Sequence, residues 1–188
     1  MCGIGKRFSD AGFMEHKSML KIDGQNMLER ILNKFYNINI FLITTKSILK
    51  NLKKNQEWNC IEHKFNLVII DNHKLGPAYS IYKAFDLIPK EVGTYISYCD
   101  IIWQWDKEFH LHENIDAGIF CHYGFHPHLV NNNFSAFCKP SRKNINKLSE
   151  IREKKSYTND WMKEPLSIGL FYIKDFEKLR MPLDEMIS

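Results

Sequence analysis

Through the first hundred residues, short β-branched apolar runs alternate with stretches of helical period, and that alternation confines the chain to few folds. Residues 38–45, 65–70 and 94–100 read as strands. Between them, 26–36 places Met27, Leu28, Ile31, Leu32 and Phe35 on one helical face, and 49–56 reads as a polar helix. Residues 77–87, opened by Gly76-Pro77, read as a helix with proline in its first turn. Strand and helix in alternation predict an α/β unit with a mostly parallel sheet. Such sheets bind ligands beyond the carboxyl ends of their strands, and Asp100 stands at one such end.

The second half is less regular, with strands expected at 115–121, 134–138 and 166–173 and helical period weak until Phe176. No repeat, low-complexity tract or linker interrupts the 188 residues, 44% of them apolar, so a single domain spanning 1–188 is expected. The net charge of +4 is mild. Its densest groups, Lys50, Lys53, Lys54 and Arg152, Lys154, Lys155, are interrupted by acids or apolar residues, which argues against nucleic acid as a partner. A modest positive field suits phosphorylated small molecules. Cysteines stand at 2, 60, 99, 121 and 138, an odd count without Cys-x-x-Cys spacing, as expected of reduced thiols in a cytoplasmic protein. No apolar run approaches the ~18–20 residues that span a membrane.

The start of the chain carries the chemistry. Met1-Cys2-Gly3-Ile4-Gly5-Lys6-Arg7-Phe8 is a two-glycine loop with two adjacent cations, and Lys17 follows. Glycines let backbone approach phosphate oxygens, and successive N–H groups there form an anion-binding concavity. Arg7 and Lys17 would add full charges to a nucleotide triphosphate. The loop is not the dinucleotide fingerprint, whose third glycine would fall on Phe8, nor a phosphate loop ending in Lys-Ser/Thr.

Together these segments resemble the sugar-phosphate nucleotidyltransferases. In that family a strand runs into Gly-x-Gly-x-Arg-Phe, matched by Gly3-Ile4-Gly5-Lys6-Arg7-Phe8, and Lys-Pro follows, of which Lys17-Ser18 keeps the lysine. Gly76-Pro77-Ala78 resembles the turn against the nucleotide base, and Ser97-Tyr98-Cys99-Asp100 the strand whose terminal aspartate binds magnesium. Tyr123-Gly124-Phe125-His126-Pro127-His128, Glu150-Ile151-Arg152-Glu153-Lys154, and Glu164 with Ser167-Ile168-Gly169 are similar to a bacterial branch linked to capsular and surface-polysaccharide synthesis.

The resemblance implies a Rossmann-like mixed sheet and a magnesium-dependent nucleotidyltransferase. It would join a nucleoside triphosphate to a phosphorylated sugar or similar small acceptor, releasing pyrophosphate. It implies catalytic roles for Arg7 and Lys17, nucleotide binding by Gly3, Gly5, Lys6, Gly76 and Ala78, acceptor binding by Gly124, Glu153, Lys154 and Glu164, and a metal at Asp100. Against the family pattern, the strand entering the glycine loop and a C-terminal portion are missing, so truncation at both ends is expected, with Met1 an internal methionine. The alternative is a catalytically incomplete remnant, or a nucleotide-binding module, of the same fold. Duller roles stay open: Asp100 as a helix cap, Glu153-Lys154 as an ion pair, Trp103, Trp105 and Phe109 as core or lid. His126 and His128 are expected to be hydrogen-bonded loop residues rather than metal ligands. The base among CTP, UTP and dTTP, the acceptor and the oligomeric state stay open.

Overall fold

The computed structural model describes residues 2–3, 6–35, 37–104, 114–125 and 135–188, and of Lys6 and Arg7 the backbone alone. The chain packs as two compact units, one of Met1–Thr94, Tyr98–His112 and Lys174–Ser188, the other of Tyr95–Ser97 and Glu113–Ile173.

In the first unit a one-turn helix α1 (Lys6–Asp10) ends at Gly12, whose φ of 87° suits a residue without Cβ. A 3-10 turn, Lys17–Met19, leads into a hairpin of β1 (Lys21–Ile22) and β2 (Gln25–Asn26). Asp23 and Gly24 between them both take positive φ, as a two-residue hairpin turn requires. Asn26 then caps α2 (Met27–Leu32), its Oδ1 accepting the Glu29 N–H at 2.8 Å. The helix is shorter than the 26–36 expected from its period, and residue 36 lies outside the described residues.

The strand expected at 38–45 is β3 (Phe41–Thr45), and Thr45 caps α3 (Lys46–Leu52). That cap starts the helix three residues earlier than the 49–56 reading, because a threonine hydroxyl on the Ile48 N–H outweighs the polar composition of the first turn. After α4 (Trp58–Ile61), β4 (Asn66–Ile70) pairs in parallel with β3, from Phe41↔Asn66 to Thr45↔Ile70. Gly76 at φ 89° precedes α5 (Pro77–Ala84), with proline in its first turn as expected.

Two apolar clusters hold this unit together. One gathers Met19, Leu28, Leu52, Trp58 and Ile61, and the other sets Val68, Ile70 and Ala84 against Phe41, Ile43 and Cys2. The Cys2 Sγ lies 3.8 Å from the Ile43 carbonyl oxygen. The last segment returns with α6 (Arg180–Ile187), and Phe176 stacks on Phe85 with ring centroids 5.1 Å apart. Arg180 and Lys90 both bridge Asp86 and cover the Phe85 ring.

The second unit is a five-stranded sheet of β5 (Thr94–Ser97), β6 (Ala117–His122), β7 (Ala136–Ser141), β8 (Asn144–Glu153) and β9 (Leu166–Ile173), in the order β5-β9-β7-β8, with β6 also paired to β9. The β6–β9, β7–β8 and β7–β9 pairs are antiparallel. The architecture is thus mixed, with a parallel pair from the alternating first half and antiparallel pairs from the irregular second half. Phe137, Leu166 and Leu170 form the buried centre of the second unit. β9 has the bounds read from the sequence, and β5 stops at Ser97, three residues short of Asp100.

Candidate functional site

The Gly3 backbone and Asp100 both meet the short segment His16–Lys17. The Lys17 Nζ donates to Asp100 Oδ2 at 2.6 Å, joining residues 83 positions apart in the sequence. Both side chains are partly buried, 22% and 35% exposed, so the pair is neither a solvated surface contact nor a desolvated core bridge. Lys17 opens the 3-10 turn Lys17–Met19, and Ser18 and Met19 are fully buried beneath it. The lysine backbone is therefore anchored while its ammonium reaches outward.

Gly3 enters the same constellation through His16. The imidazole Nε2 lies 3.0 Å from the Gly3 carbonyl oxygen, and Nδ1 lies 2.8 Å from Ser18 Oγ and 3.3 Å from the Ser18 N–H. Burial pushes the His16 pKa below its ordinary value, with the Lys17 charge acting in the same direction and the Gly3 carbonyl against it. Beside Asp100, burial pushes the Cys99 thiol up, which keeps it protonated and unsuited to a nucleophilic role. A Cβ at Gly3 would meet nothing within 4 Å, so the fold itself does not demand glycine there. Gly5 lies outside the described residues, as do the side chains of Lys6 and Arg7.

Gly76 and Ala78 lie at the carboxyl side of β4. The Gly76 backbone, at φ 89° and ψ 179°, is a conformation essentially closed to other residues. His73 organises the loop around it. Its Nδ1 accepts the Leu75 N–H at 3.3 Å, which leaves the proton on Nε2, 3.0 Å from Ser80 Oγ. The Ser80 hydroxyl donates on to the Gly76 carbonyl at 3.3 Å. At the neighbouring strand ends, Lys46 pairs with Asp71, and Ser47 donates to Asn72 Oδ1 from both its N–H and its hydroxyl.

The remaining residues assigned from the resemblance belong to the second unit. Gly124 takes φ 97° and donates its N–H to the Met162 carbonyl at 2.9 Å. Glu153 ends β8 opposite Ala136, and Lys154 follows in the left-handed region at φ 58°. Glu164 is buried, and its carboxylate is committed to its own chain. Oε2 accepts the Tyr157 N–H at 2.8 Å, and Oε1 accepts the Thr158 N–H and hydroxyl, each at 2.6 Å. Burial opposes its ionisation, but these three donors outweigh it and hold the pKa below the ordinary carboxylate value. In the same unit, Cys121 is pushed up by its hydrogen bond with Cys138 and by burial. His126, His128, Trp105 and Phe109 lie outside the described residues.

Sequence reasoning singled out the charges and the glycines, and it missed His16, Ser18, His73 and Ser80, which hold them. A polar side chain two residues from an imidazole, as in His16-x-Ser18, was the available signal. For a divalent cation, Asp100 supplies one half-exposed carboxylate already facing a cationic group. That fits magnesium, which takes one or two protein carboxylates and completes its shell from phosphates and water. Among the described residues, no group of three or more His, Cys, Asp or Glu is placed to hold a metal. Nor is any helix among them long and apolar enough to cross a membrane.

No protein-family model and no curated protein sequence matches the chain. Solved structures do. A nucleoside-diphosphate-sugar pyrophosphorylase from Vibrio cholerae RC9 is similar with a TM-score of 0.74 and 17% identity, covering 100% of this chain and 77% of that one. The inositol-1-phosphate CTP transferase from T. maritima is similar with a TM-score of 0.66 and 14% identity, covering 95% and 69%. A UDP-glucose pyrophosphorylase complexed with UDP-glucose is similar with a TM-score of 0.66 and 14% identity, covering 98% and 76%. At 17% identity or less in all three, the likeness establishes the fold: a mixed α/β fold of the nucleotidyltransferase type, with parallel and antiparallel strands.

Proposed function

We propose that this chain is a nucleotidyltransferase that joins a nucleoside triphosphate to a phosphorylated sugar or similar small acceptor. An acceptor phosphate oxygen attacks the α-phosphorus and forms a new P–O bond. The bond from that phosphorus to the oxygen bridging the β-phosphate breaks, and pyrophosphate leaves with the electron pair. Positioning and charge stabilisation carry such a step, because little covalent work falls to the protein. The observation that carries the reading is the Lys17–Asp100 pair, a cation and a carboxylate brought to 2.6 Å from distant positions beside the Gly3 backbone.

In this reading Lys17 and Arg7 balance charge on the phosphates, and Gly3, Gly5 and Lys6 supply the cradle. Gly76 and Ala78 face the base. Asp100 would hold magnesium, which when bound neutralises phosphate charge. Gly124, Glu153, Lys154 and Glu164 serve the acceptor, and for Glu164 that requires release from the 157–158 backbone. A role in surface-polysaccharide synthesis in the cytoplasm accords with the segments around Gly124 and Glu153.

Thermal unfolding of the full chain with each triphosphate plus magnesium tests the reading. A ligand at 100 times its dissociation constant adds about 2.7 kcal/mol, a visible rise in midpoint. A shift with one triphosphate supports the assignment and names the base, and a cooperative transition indifferent to all of them refutes it. Arg7→Ala and Asp100→Ala are each predicted to lower turnover by about a hundredfold or more, the scale of one lost transition-state contact. Unchanged turnover in either variant removes that residue from the mechanism.

A further inference from the structure

We propose that His16 is a positioning residue, a neutral Nε2–H imidazole that clasps the Lys17 turn to the Gly3 backbone and releases the turn when it is protonated. The hydrogen-bond partners select the tautomer. The Gly3 carbonyl can only accept, so Nε2, 3.0 Å away, must carry the proton. The Ser18 backbone N–H can only donate, so Nδ1, 3.3 Å away, must present its lone pair. The Ser18 hydroxyl, 2.8 Å from Nδ1, donates to the same lone pair. One protonation state satisfies all three contacts.

A proton on Nδ1 turns that acceptor into a donor facing the Ser18 N–H. The turn cannot yield easily, because Ser18 and Met19 are fully buried and the Met19 N–H is bonded to the His16 carbonyl at 2.8 Å. The Gly3 carbonyl accepts from Nε2–H in both states and more strongly from the charged ring, so the contact that breaks is the Nδ1 cap on the Ser18 N–H. Loss of that cap parts the ring, with the Gly3 carbonyl it still holds, from the turn that carries Lys17. The charged groups facing His16 divide. Lys17 opposes protonation, while the Gly3 carbonyl and Asp100 favour it. Burial is the larger influence and keeps the ring neutral at pH 7. The unfolded chain binds the proton more readily, so stability declines as pH falls below the ordinary histidine value of about 6.5.

The consequence for nucleotide rests on the reading above, whereas the clasp does not. Imidazole ¹⁵N shifts of the full chain, followed from pH 8 to pH 5, test the clasp. The expected result is the Nε2–H tautomer, titrating below the ordinary value, with the Gly3 and Ser18 amide shifts moving at the His16 midpoint. An Nδ1–H tautomer, or amides indifferent to the His16 titration, overturns it. The same pH series is then run for binding of CTP, UTP and dTTP with magnesium, on wild type and on His16→Gln. One pH unit below the His16 midpoint, wild-type affinity is expected to fall about tenfold relative to His16→Gln, since only the neutral fraction is competent. Triphosphate binding with the same pH dependence in both proteins overturns the positioning role. If the shifts behave as expected and no triphosphate binds at any pH, the clasp stands and the nucleotidyltransferase reading falls.

Discussion

Glu164→Gln distinguishes a loop staple from a free acceptor-binding acid, and the structure sets the size of the effect. The carboxylate accepts three hydrogen bonds, from the Tyr157 N–H, the Thr158 N–H and the Thr158 hydroxyl, at 2.8, 2.6 and 2.6 Å. A glutamine keeps the volume and one accepting oxygen, but its NH₂ must face one of the donors. At least one charge-assisted bond is lost, worth about 1.5–3 kcal/mol, and the others lose the charge that strengthened them. The predicted cost is about 2–3 kcal/mol, a sizeable share of a typical stability of about 5–15 kcal/mol. Urea unfolding should show a lower midpoint with an unchanged slope, because the surface exposed on unfolding stays the same.

The pH dependence supplies an independent check. Glu164 has its pKa lowered in the folded state by these donors, against the opposing effect of burial. A depressed carboxylate contributes stability that is fully present above its unfolded pKa, about 4.3, and is lost as pH falls through the folded value. Glutamine does not titrate. The gap between wild type and Glu164→Gln should therefore be full at pH 7 and close as the solution is acidified below about pH 4. A gap under about 0.5 kcal/mol at pH 7, the range of ordinary surface substitutions, would refute the staple and return the carboxylate to the acceptor.

Two further predictions concern the first unit. Gly76→Ala should cost about 1–3 kcal/mol in urea unfolding purely through backbone strain at positive φ, since a Cβ there meets nothing within 4 Å; unaltered stability would show that the loop relaxes freely. Phe176→Ala removes a fully buried ring from its stack on Phe85 and should cost about 3–5 kcal/mol. Limited proteolysis near residue 174 should quicken in that variant, and an unchanged digestion rate would show that the C-terminal segment is held by other contacts.

What could be read from the sequence, and what could not, divides along a physical line. Strands β3, β4 and β9 were legible because apolar runs must bury at least alternate side chains. In β4 that holds for Val68 and Ile70, while Leu67 and Ile69 stay exposed. β8 was not legible. Nine of its ten residues are exposed, so its pattern carries no inside and outside to alternate between, and its existence depends on the backbone of β7. Lys17 and Asp100 stood out because a ligand for phosphate or metal needs charge, and charge is written in side-chain identity.

The residues that hold that charge in place are a different matter. Glu164 is fixed by backbone N–H groups at 157 and 158, which every residue but proline possesses, and so no residue type announces the partnership. His16 is fixed by a carbonyl and an N–H in the same way. Where the resembled pattern has Lys-Pro, this chain has Lys17-Ser18, and a ring that would restrict the turn covalently gives way to a hydrogen-bonded imidazole. A proline constraint is indifferent to pH, whereas one made through His16 Nδ1 lasts only while that lone pair is free. The substitution of serine for proline therefore changes how the turn responds to protons as well as how it is held.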